Sequence, residues 1–229
     1  MKQKITGTHL AFALIIGSVW GLGEVALGVG LRSCAQMVSG SLMTGVALFF
    51  LSASWTASSR NYIVPLLAVT VATLFKLFDA VLLSLPVRHG AIGNPIFAFW
   101  TEAAALLVFL AVFHRSSLKK PASGALIGAG SALVAVALFP LVKFATGIPA
   151  CIQPGTAIPL SIYYGPVAIL FSAITVPLGF RAGDRIKAYA ERISPELKSR
   201  FVRVTASPAA LVLCLALVLL FRMIVHTGF

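Results

Sequence analysis

Seven apolar stretches, each long enough to cross a bilayer, dictate what this chain can become. They run His9–Leu31, Val38–Ala57, Tyr62–Leu85, Asn94–His114, Pro121–Phe144, Ala157–Phe180 and Thr205–His226, separated by residues rich in Gly, Pro, Ser or charge. A hydrocarbon core of about 30 Å takes about 20 helical residues. Lipid offers no hydrogen bonds to a bare backbone, so each stretch must satisfy its own and is predicted to be a helix. Continuous runs such as Ala209–Phe221 lack the alternation of a barrel strand. The predicted fold is all-α, a polytopic transmembrane helical bundle. It has a six-helix core within residues 1–180, an amphipathic connector over 181–204 and a seventh, C-terminal helix within 205–229. With 59% of 229 residues hydrophobic and only 10% charged, little chain is left for a separate soluble domain.

The first stretch follows Lys2 and Lys4 and at first resembles a secretory signal. It continues through Trp20 and Glu24 to Leu31 without a small-residue cleavage site, and it is expected to stay as the first helix. The net charge of +12 is a topology signal or a patch for anionic lipid, and nucleic acid is not an expected partner. Most of the 18 Lys and Arg fall in alternate loops. One side collects Lys2, Lys4, Arg60, Arg115, Lys119, Lys120 and the group from Arg181 to Arg203, whereas the other has Arg32 and Arg88. Excess positive charge marks the cytoplasmic side, so the N-terminus is expected inside and the C-terminus outside. In Arg181–Val204, Ile186, Ala190, Ile193, Leu197 and Phe201 recur at helical spacing between basic residues. That pattern fits a helix lying on the cytoplasmic leaflet, as a surface connector or a docking surface, with a break at Ser194-Pro195.

Half of the 6 acidic residues lie inside the spans, where an ionisable group is costly and usually functional. Counting along alternating helices brings Glu24, Lys76, Asp79, Glu102 and Lys143 to one depth, in the outer half. Lys76 and Asp79, three apart, can neutralise each other on one helix face. Glu24 and Glu102 have no such partner on their own helices. They must be met by another helix (Lys76 or Lys143), a proton, water or a ligand. Trp20 stands one turn before Glu24, and Phe97 and Trp100 precede Glu102. Aromatic rings beside carboxylates suit a flat or cationic organic ligand, although Trp100 also fits an interfacial aromatic belt. Asn94-Pro95, the loop Gly147–Pro159 and Tyr163-Tyr164 would cap or line such a site.

Two further patterns concern packing. Ala13, Gly17 and Gly21 repeat every four residues on the first helix, which lets a second helix, internal or from another subunit, approach closely. Cys34 and Cys151 both fall on the outer side, where they could pair or stay free, and Cys214 is expected only to pack.

Several chemistries have no support. There is no CxxC, no HExxH, no GxxxxGK[ST], and all four histidines sit at span ends or in loops. Neither a metal nor a cofactor is expected, and the chain does not read as an enzyme.

Compact helices over residues 9–180, an outward-facing polar site, a small-residue stripe on the first helix and no nucleotide motif resemble the substrate-capture (S) component of energy-coupling factor transporters. The stretches Gly17-Ser-Val-Trp-Gly-Leu-Gly-Glu24 and Asn94-Pro95…Glu102 are similar to bacterial membrane proteins placed near that group. The resemblance implies the inner membrane of a bacterium and a vitamin-like or metal-related micronutrient bound from outside. It also implies a transmembrane coupling subunit and a pair of cytoplasmic ATPases as partners. Two departures stand out. The family's first helix typically carries Ala-x-x-x-Ala for docking, whereas here the stripe is Ala13, Gly17 and Gly21. The family usually has six spans, and here Arg181–Phe229 adds a seventh.

The expectation is therefore an uptake protein. Glu24 and Glu102 supply anionic contacts, Lys76 or Lys143 a cationic one, Asp79 and Asn94 complete the polar wall, and Trp20, Trp100 and Tyr163 stack on the ligand. The alternatives are a self-sufficient proton-linked carrier or channel, and a non-transporting scaffold in which the charges only tie helices together.

Overall fold

The computed structural model describes residues 5–34, 38–113, 121–192 and 207–226, with no statement about the side chains of 28–34, 121 and 226. The helices are α1 (Gly7–Cys34), α2 (Ser39–Ala57), α3 (Ile63–Leu82), α4 (Gly90–Val112), α5 (Pro121–Leu138), α6 (Val142–Thr146), α7 (Leu160–Tyr163), α8 (Gly165–Arg192) and α9 (Ser207–His226). Seven helical segments among the described residues are long and apolar enough to cross a membrane, which makes this a multi-pass membrane protein.

Local chemistry sets the helix ends. Before α1, the Thr6 hydroxyl accepts from the His9 backbone N–H, and His9 Nδ1 accepts from the Thr6 N–H, both at 3.3 Å. This reciprocal pair satisfies two donors that the first turn would leave bare. Between α2 and α3 the chain turns through Ser59 and Arg60 at positive φ, and Asn61 Oδ1 accepts from the Ile63 N–H at 2.9 Å to cap α3. A 3-10 turn at Phe139–Leu141 joins α5 to α6, and Gly147, at φ 77°, closes α6 in the left-handed region that suits glycine.

Close approach at small residues fixes the pairing. A Cβ at Gly17 would meet the Ala68 carbonyl and the Val71 side chain at 2.7 Å, and one at Gly21 would strike the Phe75 ring. Because 17 matches 68–71 and 21 matches 75, α1 and α3 run parallel. Ala13 is fully buried with Val64 on the same seam. The stripe therefore has an internal partner and presents nothing to a second subunit. A second parallel pair is α2 with α8, where Gly45 meets Phe171, Gly179 meets Phe49 and Ser52, and Gly183 meets Ala53 and Thr56. Trp20, Leu48, Leu51, Trp55, Phe99, Leu106, Ile127 and Val176 fill the space between these pairs and form the main core.

Two boundaries differ most from the sequence expectation. The sixth span was expected over Ala157–Phe180. Instead residues up to Pro159 belong to the loop, α7 is a single turn, and α8 begins at Gly165. The same helix then continues past Phe180 to Arg192, so the basic segment after Phe180 prolongs the span rather than starting a new helix. Residues 193–204 of the expected connector lie outside the described residues. The seventh span, α9, packs on the bundle: Cys214 and Val218 are buried with Val25, Val71 and Phe75. Val212, Leu213, Leu220 and Met223 face outward, as suits a helix bordered by lipid.

Candidate binding cavity

The helix directions bring the late turns of α1, α3, α5 and α9 and the first turns of α2, α4 and α8 to one end of the bundle, away from the N-terminus. At this distal end lies a cavity of about 340 Å³. Glu24, Val25, Lys76, Phe99 and Glu102 form its deep part. Gly40, Ser41, Thr44, Ala91, Asn94, Ala98, Thr101, Phe139, Cys151, Ser161 and Arg222 line the remainder. Gly40 and Cys151 are exposed and mark a rim. The volume is within the range of small-ligand sites, about 300–1,000 Å³.

Two glutamates dominate the interior. Glu24 is 5% exposed and Glu102 3%, and they come from different helices. They are close enough to repel each other. The Trp20 indole N–H donates to Glu24 Oε1 at 3.3 Å, and Lys76 lies near enough to attract the same carboxylate. The Thr44 hydroxyl lies beside Glu102 and donates to the Gly40 carbonyl at 3.1 Å. Neither glutamate makes an ion pair within 4.0 Å among the described residues, because the two nearby cations are held elsewhere. Lys76 Nζ sits 3.1 Å from Asp79 Oδ2. Arg222, from α9, places Nη2 at 2.6 Å and donates from Nε at 2.7 Å to Asp79 Oδ1. Asp79 is fully buried and receives both. The two cations offset the cost of burying a carboxylate at this place.

The structure divides the sequence-derived site residues into three sets. Glu24, Lys76, Asn94 and Glu102 line the cavity. Trp20 and Asp79 stand behind it: Trp20 packs between Phe50 (6.4 Å between ring centroids) and Phe99 (5.1 Å) and orients Glu24, while Asp79 fixes Lys76 and Arg222. Trp20 is therefore a buried support for Glu24, not a platform under a ligand. Trp100, Lys143 and Tyr163 lie elsewhere. Trp100 is 41% exposed on the outer face of α4, as an aromatic-belt residue would be. Lys143 is exposed and stands over the Phe144 ring at 5.0 Å. Tyr163 is 49% exposed and packs edge-on with Tyr164. The Cys34 side chain is outside the described residues, and Cys151, which could pair with it or stay free, is a free, exposed thiol.

Sequence reasoning missed Arg222, Phe99, Thr44 and Ser161. Phe99 had a signal: it precedes Glu102 by three residues and so shares its face, whereas Trp100 does not. Arg222 had a weaker one, a lone cation near the end of an apolar run that any buried acid could claim. Thr44 and Ser161 carry no signal apart from position. Asn94 Oδ1 and Ser161 Oγ are buried and have no hydrogen-bond partner, and both residues line the cavity. Comparison with protein-family models, curated proteins and solved structures finds no match for this chain.

Proposed function

We propose that this chain is a membrane transport protein that captures a small molecule in the distal cavity for uptake across the inner membrane of a bacterium, with the N-terminus inside. One observation carries the reading. Two buried carboxylates from separate helices face a ligand-sized cavity within the membrane-spanning bundle, and neither has an ion-pair partner among the described residues. A scaffold has no need of this arrangement. The Lys76–Asp79–Arg222 group accounts for helix tying by itself, and it leaves both glutamates unexplained.

The energy source separates two forms of this reading. An S component of an energy-coupling factor transporter would work with a transmembrane coupling subunit and cytoplasmic ATPases. Its docking stripe would be Ala13, Gly17 and Gly21, yet here α3 fills that stripe. That packing favours the second form, a carrier sufficient in itself. Purification of the tagged protein from native membranes, with mass spectrometry of whatever proteins and small molecules accompany it, tests both. A retained small molecule that is lost in the Ala98→Phe variant, whose ring would fill the cavity, is the expected result. The same molecule retained in the folded variant would refute the site. Co-purifying ATPases would restore the energy-coupling form.

A further inference from the structure

We propose that the distal cavity takes a small organic monocation, held through its N–H groups between the carboxylates of Glu24 and Glu102. The inference rests on the reading of this cavity as a ligand site and adds the class of ligand.

Charge is the first argument. The cluster contains three carboxylates (Glu24, Asp79, Glu102) and two cations (Lys76, Arg222), from α1, α3, α4 and α9. Both cations are bound to Asp79. Fully ionised, the cluster is one positive charge short of neutral, and an unbalanced charge at this depth is costly. A proton or a single bound monocation supplies the balance, and the ligand-sized space beside both carboxylates favours the monocation.

Hydrogen-bonding capacity points the same way. The charged donors on the wall, Lys76 and Arg222, are turned to Asp79, the Trp20 indole behind it donates to Glu24, and the unpartnered Ser161 hydroxyl can donate or accept. Acceptors are left over. Asn94 Oδ1 has no partner, both glutamates face the cavity, and Pro95 has no N–H to offer the Ala91 carbonyl one turn back. The complementary ligand is rich in donors.

The rest of the wall selects an organic cation over a metal ion. Phe99, Met43, Pro95, Ala98, Val136 and Phe139 give it an apolar side suited to a hydrocarbon or ring body. Among the described residues no three His, Cys, Asp or Glu gather in a way that could hold a metal ion.

Benzamidine, benzamide and benzoate share one planar frame and carry positive, zero and negative charge. Isothermal titration calorimetry of the full chain in mild detergent, with each probe at up to millimolar concentration, tests the inference. Benzamidine is expected to bind, benzamide about tenfold more weakly or worse, and benzoate not at all. Glu24→Gln and Glu102→Gln are each expected to lower benzamidine affinity by about 10- to 100-fold, the worth of a charge-assisted hydrogen bond. Asp184→Asn, exposed on α8, should leave it unchanged. The ranking of probes on the unsubstituted chain decides the matter even where a glutamate variant does not fold. Equal or stronger binding of benzamide or benzoate overturns the monocation while keeping the cavity as a ligand site. Failure of all three probes overturns it too, as does undiminished benzamidine binding in both folded glutamine variants. The transport reading falls separately, when the native molecule is retained by Ala98→Phe.

Discussion

At the scale of single residues, Asp79 is the most consequential side chain in the bundle. It is fully buried and receives Lys76 and Arg222 at 3.1 and 2.6 Å, so removing its charge leaves two cations facing each other in a low-dielectric setting. Breaking one partner of a buried ion pair costs about 3–5 kcal/mol. Asp79→Asn is expected to lower thermal stability in detergent accordingly. Replacing all three charges together, as Lys76→Met, Asp79→Leu and Arg222→Met, is expected to recover most of it. An unshifted melting point for Asp79→Asn would show that the group does not hold the helices. Trp20 offers a contrast. Trp20→Phe keeps a ring among Phe50 and Phe99 but removes the donor on Glu24, so ligand affinity should fall by about 5- to 10-fold with little change in stability. Affinity unchanged in that variant would mean that the indole does not orient Glu24. Glu24, Lys76, Asn94 and Glu102, which line the cavity, stood out in the sequence because ionisable or amide groups in apolar runs are conspicuous. Thr44 did not, because a threonine in a helix carries no mark of the face it occupies, whereas the three-residue spacing of Phe99 from Glu102 did mark their shared face.

At the scale of elements, close approach at glycines sets the geometry of α1 against α3. Gly21→Leu would drive its side chain into Phe75 and is expected to cost about 1–3 kcal/mol or more by overpacking. Gly23 has open space around its Cβ position, so Gly23→Ala should be neutral or stabilise by up to about 1 kcal/mol through helix propensity. Thermal unfolding of the two variants separates packing from helix propensity, and equal shifts would mean that the α1–α3 seam is not tight. The existence of all seven spans was legible because lipid leaves the backbone one solution. The start of the sixth was not. Residues up to Pro159 are apolar enough to read as span, yet an isolated bridge between Ile152 and Pro159 and the single turn α7 hold them outside it. The continuation of α8 to Arg192 was equally hidden, since basic residues end a hydrophobic run without ending a helix.

For the whole molecule, the alternating helices leave one end with the cavity and the other with the Arg60 turn and the basic end of α8. The proposed orientation puts the cavity outside. In a Cys34→Ser background, Cys151 at the rim should react with a membrane-impermeant maleimide in intact cells, and a cysteine replacing Asp184 on α8 should not. The reverse labelling would invert the topology and turn the cavity toward the cytoplasm. Pattern placed the ionisable groups of α1, α3 and α4 at one depth, but it could not say that α9 would reach across to complete them. That contact depends on three-dimensional neighbours which no periodicity encodes.

Whether this cavity holds the ligand is decided by a structure of the protein purified with its native small molecule. Density is expected for that molecule bounded by Glu24, Asn94, Phe99 and Glu102, with Asp79 still joined to Lys76 and Arg222. A ligand bound elsewhere, or Glu24 and Glu102 closed on each other with no space between them, would contradict it.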